Sequence, residues 1–200
     1  MPFRTPEFDE LESARVAYEA DERRDLFYRT ATELVDLAIR EQISLSLAEV
    51  LAVLLQRWNE PYDRHSRFDA AHCADIERLL SEHRATLEGL RARTIEGFSD
   101  EDQGTVEALF CEFELVLGPV GAAKCLHLLA PRFFPLWDRE VASAYFVSLL
   151  EPGGNGERYC RFMRIVREQC RELGGEQRLG RNPLHALDEY NYCRHTRGWL

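Results

Sequence analysis

Leu117–Asp138, LGPVGAAKCLHLLAPRFFPLWD, decides the fold of this chain. Gly118 and Gly121 bracket two residues between two apolar helical runs. Glycine can take the backbone conformations a tight reversal needs, and the first N–H groups of the helix that follows have no intrahelical partner. Such a turn can present its amides to a phosphate. On the far side, Asp138 stands directly before REVASAY, where a carboxylate caps a helix N-terminus.

Helical periodicity continues on both sides, and no stretch alternates apolar and polar residues as a half-buried strand does. The expected fold class is all-α. Thr5-Pro6 opens a charged helix to about Glu22, and Phe27, Ala31, Leu34, Val35 and Ala38 mark the inner face of the next. Ser46 and Glu49 form a capping box for a helix that Pro61 stops. Asp69 caps a run carrying Ile76, Leu79, Leu80, His83, Leu87 and Leu90, with Gly97 ending the stretch. Ser99 and Asp102 open the helix that Gly118 terminates. Asp138 is expected to cap a helix to Leu150, and residues 157–173 form an amphipathic helix with Arg158, Arg161, Arg164, Arg167 and Arg171 on its polar face. Asn182-Pro183 starts a terminal helix.

The 200 residues, 45% of them hydrophobic, suffice for one domain, 1–200, or two closely packed lobes. No apolar run reaches the roughly 20 residues that span a bilayer, and the N-terminus lacks the pattern of a secretory signal, so no membrane partner and a cytoplasmic location are expected. The six cysteines are scattered without a CxxC pair, which points to reduced thiols rather than a metal site or a disulfide framework. The net charge of −10 is unevenly placed: residues 1–120 carry 26 acidic residues against 13 arginines, and residues 121–200 carry 9 against 12 cations. This opposes a general nucleic-acid coat but permits a basic surface in the last 80 residues. Of the 25 cations, Lys124 is the only lysine.

Residues 113–145 resemble the helix-hairpin-helix (HhH-GPD) DNA glycosylase superfamily, which includes endonuclease III and the 8-oxoguanine glycosylases. LGPVG resembles the family's hairpin, Lys124 lies near the position of its lysine nucleophile, and FPLWDREV is similar to the segment holding its catalytic aspartate, here Asp138. The resemblance implies a helix-hairpin-helix bundle that binds DNA and cleaves the N-glycosidic bond of a damaged or unusual base. The four-cysteine pattern of some relatives is missing, so no iron–sulfur cluster, metal or other cofactor is expected.

In that chemistry Asp138 stabilises positive charge on the sugar, and a neutral Lys124 amine could attack the sugar carbon, giving AP-lyase activity. Gly118, Val120 and Gly121, together with Arg158, Arg161 and Arg164, are the expected DNA contacts. His127, Trp137, Trp58 and Asn59 are pocket candidates, since a flipped base needs aromatic walls. Each has a plainer reading: Asp138 as a helix cap, Lys124 as a phosphate contact, the rings as core, the arginines as a solvated face. Two alternatives stand beside the enzyme: a nucleic-acid-binding module without catalysis, and a helical protein-interaction module.

Overall fold

The computed structural model describes residues 4–20, 22–58 and 69–200. Among these there is no strand, and the class is all-α. The helices are α1 Phe8–Glu19, α2 Glu22–Ile39, α3 Leu47–Trp58, α4 Ala70–Glu82, α5 Arg84–Arg91, α6 Gln103–Leu129, α7 Arg139–Ala144, α8 Gly156–Glu172, α9 Gly175–Leu179 and α10 Pro183–Asn191. Two 3-10 turns, Ile95–Gly97 and Asp100–Asp102, precede α6, and a π-helical turn, Tyr192–Arg197, follows α10. No described helix is long and apolar enough to cross a membrane.

Several helix starts follow from short-range capping. Ser46 N–H donates to Glu49 at 2.7 Å while Glu49 N–H donates to Ser46 Oγ at 3.2 Å. Asp69 accepts from His72 N–H, and Asn182 accepts from Leu184 N–H ahead of Pro183. These bonds satisfy amides that a helix start leaves without partners. Three boundaries differ from expectation. Glu7 rather than Thr5 caps α1, its N–H bonded to Glu10, while the Thr5 hydroxyl bonds Glu172. The run after Asp69 breaks at His83, whose backbone leaves helical geometry and whose ring bonds Glu112 of α6. The helix after Asp138 stops at Ala144, because Tyr145 turns into the core and Phe146 takes a left-handed φ of 52°. The expected stop at Pro61 lies outside the described residues.

The core is one cluster from Leu11 of α1 to Cys193 beyond α10. α6 lies at its centre and packs against α8, where Gly156 allows close approach: a Cβ there would lie 2.7 Å from Cys111 Sγ. Arg164 pairs with Asp100, Arg167 donates to Phe98 O at 2.7 Å and Arg171 to Glu96 O at 2.6 Å, so the polar side of α8 is stitched to the turns before α6.

Helical geometry continues through α6 except at Gly118, with φ 69° and ψ 167°. A straight helix of 27 residues would separate its ends by about 40 Å. The short turns on either side could not then bring Ile95 N–H within 2.8 Å of Arg132 O, or the Phe98 and Phe133 rings within 6.1 Å. The chain therefore bends sharply at Gly118, and Pro119 opens the second arm, where its missing N–H costs no helical bond. This backbone region is essentially restricted to glycine. A Cβ at Gly118 would meet nothing within 4 Å, so a side chain there tests the backbone alone. Gly118→Ala is expected to lower stability by about 1–3 kcal/mol in urea unfolding; an unchanged midpoint would contradict this account of the bend.

A candidate active-site pocket

The second arm of α6 turns Ala122, Ala123, Cys125 and Leu126 into the core and leaves Lys124 half-buried. The chain then runs through Phe133 and Phe134, both fully buried, to Trp137. Trp137 stacks on Phe162 with ring centroids 6.2 Å apart and meets Phe110 edge-on at 5.8 Å. Tyr159 stacks on Phe110 and donates its hydroxyl to Pro135 O at 2.7 Å. Packing on both sides of FPLWD thus fixes where Asp138 begins α7. Asp138 Oδ1 accepts from Val141 N–H at 2.8 Å, which orients the carboxylate, while Oδ2 takes no hydrogen bond among the described residues.

Lys124 and Asp138 line the same pocket, together with Trp58, Leu136, Trp137, Val141, Asp188 and Tyr192. Its volume is about 40 Å³, room for a few water molecules. Lys124 Nζ donates to Trp58 O at 2.8 Å and lies 5.3 Å from the centre of the Trp58 ring. The Trp137 indole N–H is buried and finds no acceptor among the described residues, a donor that a bound polar group would satisfy.

Four of the residues singled out from the sequence therefore converge: Lys124, Asp138, Trp58 and Trp137. Asn59 lies outside the described residues. Gly118 and Val120 at the bend are half-buried and Gly121 is buried, and none of them lines the pocket. Arg158 donates to Ser148 O at 3.0 Å, Arg164 is held by Asp100 and Gln103, and Arg161 is exposed.

His127 is not a pocket residue. Its Nδ1 lies 2.7 Å from Phe134 O, which can only accept, so Nδ1 carries the proton and Nε2 accepts from the Tyr28 hydroxyl at 2.8 Å. Tyr28 stacks on His185 with centroids 4.2 Å apart, and His185 Nε2 lies 3.2 Å from Glu189, which also pairs with Arg181. Burial pushes both rings below the ordinary histidine range, His127 to about 4 and His185 to about 3.

Histidines in an unfolded chain titrate near 6.5. Between roughly pH 6.5 and 4 these two rings therefore bind up to about two more protons in the unfolded chain than in the folded one, and their contribution to stability falls as pH is lowered through that window. Urea unfolding measured across it should show this slope, reduced by about one proton in His185→Gln. A flat profile would mean that the rings charge without unfolding.

Asp188 and Tyr192 line the pocket without belonging to any of the sequence motifs described above. For Asp188 the sequence holds a signal: it lies one turn after Leu184 and next to Leu187, an acidic residue at the edge of an apolar helix face. Away from the pocket, Glu82, His83 and Glu112 place potential metal-ligand atoms within 4.8 Å of one another, with His83 Nε2 bonded to Glu112 at 2.9 Å. Comparison of the chain with protein-family models, curated proteins and solved structures finds no match.

Proposed function

We propose that this pocket excises a base from DNA by hydrolysing its N-glycosidic bond. The observation that carries the reading is the meeting of Asp138 and Lys124, from two separate segments, in one pocket walled by Trp58 and Trp137. Glycosidic cleavage develops positive charge on the sugar, and a carboxylate already oriented by a backbone amide stabilises it without reorganising.

The step balances as follows. The C1′–N bond breaks and its electron pair leaves with the base. Water bonds to C1′ and gives a proton to Asp138, which passes it on through solvent to the departing base and is left again as the carboxylate. One water is thereby divided between base and sugar. Oδ2 of Asp138 is the oxygen for this work, since Oδ1 holds α7. On this reading the amides after the bend at Gly118 would contact a phosphate.

A space of about 40 Å³ is smaller than a nucleobase, so substrate entry on this reading requires the wall formed by Trp58 and Tyr192 to move. That small space favours the second reading, a helical binding module that retains the scaffold without turnover. Incubation with duplexes carrying deaminated, alkylated or oxidised bases, followed by alkali to reveal abasic sites, separates the two. Alkali-labile sites at one lesion class support excision; salt-sensitive binding without product supports the binding module.

A further inference from the structure

We propose that Glu82, His83 and Glu112 form a binding site for a zinc ion, which ties the junction of α4 and α5 to the first arm of α6. One imidazole and two carboxylate donors stand there within 4.8 Å of one another. None of the three lines the pocket, and the inference does not depend on the function given to it. The scattered cysteines argue against a thiolate site, and this one uses none.

The fold brings these donors together from two separate places in the chain. His83 ends α4 and begins α5, with φ −106° and ψ 10°, and its side chain makes no capping bond to α5. The ring is turned instead toward α6: Nε2 lies 2.9 Å from Glu112 Oε2, and the imidazole and Phe113 ring centroids are 6.3 Å apart. The His83 side chain is 21% exposed and that of Glu112 45%, so the imidazole is held in place while the carboxylate stays open to solvent. Glu82 is the last residue of α4 and is half exposed. It pairs with Arg78 one turn back at 2.7 Å, a surface contact of the kind that contributes little and yields readily to an ion.

Donors bound to one zinc ion at about 2.1 Å stand about 3.0–3.4 Å apart, from right-angled to tetrahedral geometry. The separation of His83 and Glu112 is close to that spacing, and rotation of the exposed Glu82 side chain closes the set. Two carboxylates this close repel each other, and a divalent ion between them turns the repulsion into attraction. A mixed imidazole and carboxylate set suits zinc, whereas magnesium and calcium take oxygen donors. Water completes the coordination. The thiols compete poorly: Cys125, Cys160, Cys170 and Cys193 are buried, and burial raises Cys73 and Cys111 above the ordinary thiol range.

Titration calorimetry of the full-length protein with zinc chloride should show one ion bound per chain. Glu82→Gln and Glu112→Gln should each weaken binding by about 10²-fold or more, at least what the loss of a ligand's supporting partner costs. Both side chains are about half exposed and glutamine keeps their shape, so the fold is retained in each variant. Cobalt in place of zinc should give the weak visible bands of nitrogen and oxygen ligands, without the intense near-ultraviolet band of a thiolate. Only the folded chain brings residues 82, 83 and 112 together, so zinc should raise the urea midpoint of the wild type and leave that of Glu112→Gln where it was. No binding at millimolar zinc, binding unaltered in both glutamine variants, or a thiolate band with cobalt would each overturn the site.

Discussion

Asp138→Asn should lower single-turnover base release by about 10²-fold or more while leaving the fold in place. The asparagine side-chain oxygen can still accept from Val141 N–H, as Asp138 Oδ1 does at 2.8 Å, so α7 keeps its cap. What disappears is the negative charge opposite the developing sugar cation and the site that receives the proton from water. Asp138→Ala removes both functions, and its extra cost should appear as about 0.5–2 kcal/mol of lost stability. Rate and stability are therefore separable at this residue. If Asp138→Asn loses stability and retains its rate, Asp138 is a cap and nothing more.

The largest effect on stability is expected at Arg181. Its guanidinium pairs with Glu189, whose side chain is only 4% exposed, and His185 Nε2 also lies 3.2 Å from that carboxylate. Removing one partner of a buried ion pair leaves the remaining charge poorly compensated, at a cost of about 3–5 kcal/mol. Arg181→Met should show that loss in urea unfolding at neutral pH. The double variant Arg181→Met/Glu189→Leu should recover most of it, because two apolar side chains can replace a buried pair at little net cost. A double variant no more stable than Arg181→Met would mean that the arginine contributes by packing rather than by charge.

How much of this could be read beforehand depends on the range of the interactions. The caps at Ser46, Asp69, Ser99, Asp138 and Asn182 are bonds within three residues, and the sequence carries them whole. The bend at Gly118 was equally local, since it turns on one residue's freedom to take a positive φ. Lys124, Asp138, Trp58 and Trp137 were each singled out, but their meeting depends on α3, α6 and the segment before α7 packing together.

Periodicity failed where tertiary partners intervene. His127, one turn from Lys124, has the spacing of a second pocket group, but Tyr28 and Phe134 hold both of its nitrogens. Arg164, Arg167 and Arg171 make a basic stripe in the sequence, yet each donates to an acceptor in residues 96–103, and Arg167 and Arg171 also bond Glu168. Asp188 reaches the pocket only because α10 packs beside α1 and brings the C-terminal turn with it, a pairing that no local pattern encodes.

The most direct measurement is the free base itself. Chromatography of reactions on the lesion duplexes, with wild type and Asp138→Asn side by side, should show one base released per abasic site formed, an unbroken strand before alkali, and a loss of about 10²-fold or more in the variant. Release that is absent from every duplex, or equal in the two proteins, would contradict the assignment of this pocket to glycosidic cleavage.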